Sequence, residues 1–224
     1  VWTTHPDEIR RQILTYHRAG HQLHIHAVGD EASELILDCL EQAIEEFPRP
    51  DHRHTIQHGQ LMDAAQFRRA KELGVCVNLM SNHVHYYGDI HHAQTLGPAR
   101  AARINAAATA QRIGVHFAIH SDAPVTPLSP LFTIWVAVNR LTARGRVLGA
   151  EERLSVADAI HAMTLGSAYT LKLDHEIGSI APGKRADLVV LDRDPFATDP
   201  ALIKDIKVCA TVLGGRCFDG ASQT

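Results

Sequence analysis

Along the first half of the chain, short apolar runs alternate with longer apolar stripes at helical spacing, the pattern of strands separated by amphipathic helices. Pro6 stands at a first-turn position and Ile9, Ile13, Leu14 and Tyr16 follow it, so residues 5–19 are predicted helical up to Gly20. A strand is predicted from His21 to Ala27. From Ala32 the residues Leu35, Ile36, Cys39, Leu40, Ala43, Ile44 and Phe47 form one helical stripe, which Pro48 and Pro50 end. His52 to Gln57 is the next predicted strand. Asp63 caps a helix through Leu73, and Gly74 releases the chain into a third strand, Val75 to Met80. Residues 81–98 are predicted to be a polar connection, followed by a helix over 99–113 and a fourth strand from Val115 to Ile119. Ser155 is the predicted N-cap of a last helix reaching Tyr169.

Strands alternating with helices call for parallel βαβ units with right-handed crossovers. Two architectures satisfy that requirement, a barrel segment and a doubly wound sheet. No GxGxxG or GxxxxGK[ST] turn follows any strand, so the usual nucleotide-binding reason for an open sheet is missing and the barrel is preferred. Beyond about residue 175 the pattern changes to short β-rich runs at 177–180, 187–191, 207–213 and 216–218, separated by Pro182-Gly183 and Gly214-Gly215 turns. The expected fold class is therefore α/β, with residues 1–174 forming the barrel part and 175–224 a small antiparallel β element.

Composition removes several function classes. A net charge of −3, with no run of like charges, gives no field for phosphate backbones or anionic lipid, so no nucleic-acid or membrane partner is expected. No apolar stretch approaches a membrane span and no export signal opens the chain, so the default expectation is a cytoplasmic protein acting on a small molecule. The cysteines Cys39, Cys76, Cys209 and Cys217 lack CxxC spacing; Cys39 and Cys76 fall in apolar patterns that suit buried thiols, while a hairpin could bring Cys209 and Cys217 together. The 16 histidines are the unusual number, because imidazole is the commonest metal ligand.

In a parallel barrel the C-terminal ends of the strands converge on one mouth, where active sites lie. Three predicted strands end there in metal-binding side chains: His26 in His24-Ile25-His26-Ala27-Val28-Gly29-Asp30, His58 in Gln57-His58-Gly59, and Asp122 in His120-Ser121-Asp122. Any one of them could be an ordinary hydrogen-bonding loop residue. Three in one βα register favour ligation of a zinc-like divalent ion, whose bound water becomes hydroxide near neutral pH while Asp122 handles its proton. His24 shares a face with His26 one layer deeper, as either a second ligand or a buried hydrogen-bonding residue behind the first. His54 stands in the same relation to His58. Asn82, His83 and His85 are placed on a loop at the same mouth, where His83 and His85 suit either substrate contact or oxyanion stabilisation, rather than ligation, or simply solvated loop positions, and His91-His92 are expected to be exposed.

At this point the motifs resemble those of the amidohydrolase superfamily, in the branch that contains N-substituted formamide deformylase and related metal-dependent hydrolases. His26-Ala27-Val28-Gly29-Asp30 is similar to that branch's fifth-strand motif, Ile56-Gln57-His58-Gly59-Gln60 to its sixth, and Ser121-Asp122-Ala123-Pro124-Val125 to its eighth. Gly178 to Leu188 resembles the segment that enters the family's small β-sandwich. The resemblance implies the C-terminal half of a (β/α)8 TIM-type barrel followed by a β-sandwich segment. It also implies that His26 and His58 bind metal and that Asp122 binds metal and moves a proton. Counterparts of the family's first-strand His-x-His pair and of its fourth-strand lysine or glutamate are absent, and His120 stands where a glycine is common.

Half a barrel would leave an unpaired strand edge on each side. The expectation is therefore that this is a fragment, or that the N-terminal half or a partner chain completes the fold. The expected activity is hydrolysis of a non-peptide C–N bond, an amide or formamide, by metal-bound hydroxide. Hydrolytic deamination on the same scaffold and a catalytically inert metal-binding or assembly module are the alternatives.

Overall fold

The computed structural model describes residues 2–220. Helix α1 (Pro6–Arg18) begins with the proline at its first turn, and the ring of His5 accepts from Asp7 N. Strand β1 (His24–Ala27) follows, then α2 (Asp30–Glu46) and β2 (Thr55–His58). Asp63 caps α3 (Ala64–Glu72) through a full capping box with Gln66, which satisfies two otherwise orphaned donors. Strand β3 (Cys76–Leu79) leads into α4 (Asn82–Ile90), prolonged by a π-turn over His91–Thr95, and then α5 (Gly97–Ala101) and α6 (Ala107–Ile113). After β4 (Phe117–Ile119) come α7 (Pro130–Asn139), α8 (Val156–His161), a π-turn over Ala162–Gly166, and α9 (Ser167–Thr170).

The first four strands make one all-parallel sheet in sequence order, in register His26↔Gln57↔Asn78↔Ala118. Its helix-facing side carries Ala27, Ile56, Val77, Leu79 and Ile119, all buried in the main core with Ile36, Leu37 and Leu40 of α2 and Phe67 of α3. Arg69 of α3 holds α2 beside it, reaching Glu34 at 2.6 Å, Asp38 at 2.7 Å and also Glu41. The opposite side carries His24, His26, Gln57 and Asn78. Strands β5 (Leu188–Leu191), β6 (Val208–Leu213) and β7 (Arg216–Asp219) form a separate antiparallel sheet.

Several sequence expectations need correction. Residues 82–95 are helical, not a polar connection, and the single helix expected over 99–113 is two, interrupted at 102–106. Helix α7 had no sequence signal because Thr133 through Val138 are buried in succession, which erases the amphipathic period. The run 177–180 forms no strand, and residues 221–224 of the expected β segment lie outside the described residues. Cys39 and Cys76 are buried and free; Cys209 and Cys217 are exposed and free, with Cys217 opposite Val212 in the hairpin.

The two sheet edges differ. Among the described residues β1 has no partner on its outer side, where a groove of about 470 Å³ runs between α1 and the strand, lined by Trp2, Ile13, Tyr16, Ile25 and His26 among others. The edge of β4 is covered at Phe117 by the π-turn: a Cβ on Gly166 would stand 2.6 Å from Phe117 O. Only the first of the two expected open edges is therefore fully open.

Candidate active site

The C-terminal ends of the four strands gather a histidine cluster centred on His58. Its ring meets His26 edge to face with centroids 4.6 Å apart, His120 at 5.1 Å and His83 at 5.7 Å. On strand parity alone His58 would follow Ile56 to the helix-facing side. A left-handed backbone at His58 (φ 74°), followed by Gly59 (φ 51°), turns the imidazole back towards His26. Asp122 is left-handed as well (φ 57°). Non-glycine residues in that region cost about 1–3 kcal/mol each, a strain that collects at functional sites.

Burial disfavours the charged forms of His58, His83 and His120. It pushes His83 down to about 3, with further lowering from the neighbouring His58, His91, His120 and His26. His120 is held at about 4 by burial and by His58, opposed by the Asp122 carboxylate and by a backbone bond to Asn78. His58 is lowered by burial and by His26, again opposed by Asp122. Neutral imidazoles offer lone pairs, and His58 Nδ1, His83 Nδ1 and His120 Nε2 are buried without a hydrogen-bond partner. That donor set fits an electrophilic ion. Among the described residues no three His, Cys, Asp or Glu side chains stand close enough to hold one ion. The His26–His58 pair is assembled; a complete cage is not.

His24 lies behind this layer. Gln57 Nε2 donates to His24 Nδ1 at 2.7 Å, and Asn78 Nδ2 donates to Gln57 Oε1 at 2.9 Å, so a polar ladder crosses β1, β2 and β3 below the histidine cluster. Burial lowers the pKa of His24, opposed by a bond to the Thr170 backbone. His54 is elsewhere altogether: it accepts from Leu23 N at 3.0 Å and bonds His17 at 2.8 Å.

Helix α4 carries the remaining expected residues. His83 reaches His58, and Tyr87 one turn later stacks edge-on to it at 5.6 Å. His85 turns away, bonding Leu141 O at 3.0 Å among Phe132 and Trp135, so it belongs to packing and not to a substrate wall. His91, expected to be exposed, is half-buried and bonds Gln60 at 3.0 Å and Thr95 at 2.7 Å. Asn82 is fully buried and donates to Thr126 Oγ1 at 2.8 Å. Thr126 escaped sequence reasoning; its only signal is its place in the turn that follows Asp122.

The comparisons agree with the motifs. The putative amidohydrolase YtcJ of Bacillus subtilis is 34% identical over 218 residues, covering 95% of this chain and 40% of that protein. The N-substituted formamide deformylase of Arthrobacter pascens is 27% identical over 198 residues, covering 88% and 36%. An uncharacterized metal-dependent hydrolase from Pyrococcus furiosus superposes with a TM-score of 0.71 at 27% identity, covering 88% of this chain and 38% of that one. The chain thus spans well under half the length of these relatives. No helix among the described residues is long and apolar enough to cross a membrane. The sequence pattern of the amidohydrolase family matches residues 1–218, and the chain belongs to that family.

Proposed function

We propose that residues 1–174 are the C-terminal half of a (β/α)8 barrel, that residues 175–224 contribute to a β-sandwich, and that the completed protein hydrolyses a non-peptide C–N bond in an amide or formamide. The observation that carries this reading is the meeting of His26 and His58 at 4.6 Å at the C-terminal ends of parallel strands, in a chain of the amidohydrolase family. The open β1 edge and its groove are where the N-terminal half, from the same or a partner chain, would dock. His26, His58 and Asp122, which do not by themselves close on one ion here, would each contribute to a divalent-ion site, zinc by the chemistry of the donors, completed by ligands from the other half of the barrel. When bound, the ion supplies Lewis acidity and lowers the pKa of the attacking water.

The chain's own residues do the rest. Asp122 accepts the proton released as the water adds and the new C–O bond forms, then returns it to the leaving amine nitrogen, and the C–N bond breaks as that nitrogen is protonated. His83, neutral and lacking a partner at Nδ1, faces the same space as His58 and is placed to contact the substrate. His120 backs His58.

Zinc analysis and a panel of N-substituted formamides and amides, run on the natural full-length protein and on its His26→Ala variant, test the reading. Stoichiometric zinc and hydrolysis in the parent, both lost in the variant, support it. Zinc with ammonia release from an amino-substituted ring would point to deamination. A parent that takes up no zinc would leave an inert module.

A further inference from the structure

The Asp122 turn is tied to α4 by a buried relay. Val125 N donates to Asp122 O at 2.7 Å, which closes the left-handed turn from within. Thr126 Oγ1 donates to Ser121 O, the carbonyl immediately before Asp122. Asn82 Nδ2 donates to the same Thr126 oxygen at 2.8 Å. A hydroxyl has one proton to give and lone pairs to receive, so both bonds are satisfied together. Asn82 is the first residue of α4, wholly buried, and Thr126 is 2% exposed, so neither bond competes with solvent.

This relay has a task that packing alone does not require. Residues 123–125 are exposed, so the turn around Asp122 has no apolar core of its own. Asp122 holds a backbone conformation that a non-glycine residue adopts only when its surroundings impose it. The carbonyl of Ser121, which receives the Thr126 hydroxyl, directly precedes Asp122. The neighbour of Asn82, His83, reaches His58, so the first turn of α4 touches both the β2 and the β4 sides of the cluster.

We infer that Thr126 and Asn82 are positioning residues for Asp122, acting through the Ser121 carbonyl to hold the carboxylate in its working place. The inference rests on the metal-hydrolase reading above. Outer-layer bonds of this kind are worth about 10–100-fold in metal affinity or activity. Thr126→Val keeps the shape and removes the hydroxyl, whereas Thr126→Ser keeps the hydroxyl.

The test uses the natural full-length protein and measures zinc dissociation by chelator competition beside kcat and KM on a hydrolysed amide. Thr126→Val is expected to bind zinc about 10–100-fold more weakly and to lose kcat with KM little changed, while Thr126→Ser stays near the parent. If Thr126→Val does not fold, Asn82→Ser, which removes the donor to Thr126, is read in the same way. Parent-like zinc binding and turnover in the hydroxyl-free variant overturn the inference, as does an equal loss in Thr126→Ser. A parent without zinc or hydrolysis overturns the functional reading instead, so the two failures are told apart.

Discussion

His54 gives the proton of its Nε2 to His17 Nδ1 across 2.8 Å, and the bonds around the pair fix which nitrogen carries each proton. His54 Nδ1 accepts from Leu23 N at 3.0 Å, so its proton must sit on Nε2. His17 Nδ1 is then the acceptor, and its own Nε2 proton goes to Phe47 O at 2.8 Å. His52 repeats the pattern, accepting from His54 N and donating to Leu73 O at 2.8 Å. Every lone pair in this relay is used by the neutral form. Burial, reinforced by the nearby His52 and His17, pushes His54 down to about 3, and burial lowers His52 as well.

An acid-labile fold follows from that relay. Below the ordinary histidine value of 6.5 the unfolded chain binds a proton at residue 54 that the folded chain refuses until about pH 3. The stabilisation is complete above 6.5 and is lost as pH falls towards 3, at up to about 1.4 kcal/mol per pH unit for this one group. Urea unfolding at pH 7 and pH 5, with chelator present, is expected to show a lower midpoint at pH 5. Replacing His54 with Gln should flatten the difference at some cost in stability at pH 7; an unchanged midpoint between the two pH values in the parent would count against the relay.

Gly166 is held to glycine by sterics alone. Its helical φ of −59° is one that any residue adopts, and in a free helix alanine would be better by about 1 kcal/mol. Here the added Cβ would stand 2.6 Å from Phe117 O and 3.3 Å from His161 O, both backbone atoms that cannot swing aside. Gly166→Ala is therefore expected to destabilise, by about 1–3 kcal/mol. Thermal unfolding checks the sign, and a rise in midpoint would mean that β4 is not seated against the π-turn.

Arg140 is an almost fully buried cation whose bonds run to carbonyls instead of a carboxylate. Its Nε donates to Leu148 O at 2.6 Å, while its two terminal nitrogens donate to Asn105 O at 3.1 Å and Ile104 O at 2.9 Å. Burial pulls it down to about 10, so it stays charged at neutral pH. Arg140→Met leaves the Leu148 and Ile104 carbonyls without this donor, while Asn105 O keeps Ala107 N, and should cost about 3 kcal/mol. Lysine, with a point charge in place of a planar fork, should recover little of this. Chemical denaturation of the two variants decides it; full recovery by lysine would show that charge, not the fork, is what the 104–105 and 148 carbonyls need.

The parts legible in the sequence are those where one periodicity governs. The α2 stripe reads directly because one face is buried and the other wet, and Asp63 announces α3 through its capping box. The parallel sheet followed from strands alternating with amphipathic helices, and the family from strand-end motifs. What escaped was set by tertiary contact. Helix α7 is buried through consecutive residues and has no stripe to read. His83 reads as a loop residue in the sequence because α4, with its Asn, His, Tyr and Gly, has little intrinsic helix signal. The turning of His58 towards His26 depends on a φ of 74°, and the link from Asn82 to Thr126 spans 44 positions, neither of which any local pattern encodes.

His24 and His26 give the sharpest test of which histidine of the HIH pair serves the metal. Both project from the same side of β1 and both are exposed in the sheet's open face. They differ in partners: His24 Nδ1 is taken by Gln57 at 2.7 Å, whereas the His26 ring lies against His58, whose Nδ1 is unpaired. A ligand needs a free lone pair facing the shared space, and the ring placed against His58 is that of His26. In the full-length protein, His26→Ala is expected to weaken zinc binding by more than about 100-fold, and His24→Ala by about tenfold or less, the size of an effect passed through a neighbour. Isothermal titration of the metal-free variants with zinc measures both. Should His24→Ala cost more than His26→Ala, the ladder from His24 through Gln57 to Asn78 would have to open on binding and His24 would be the ligand, which would move the site one layer deeper into the sheet.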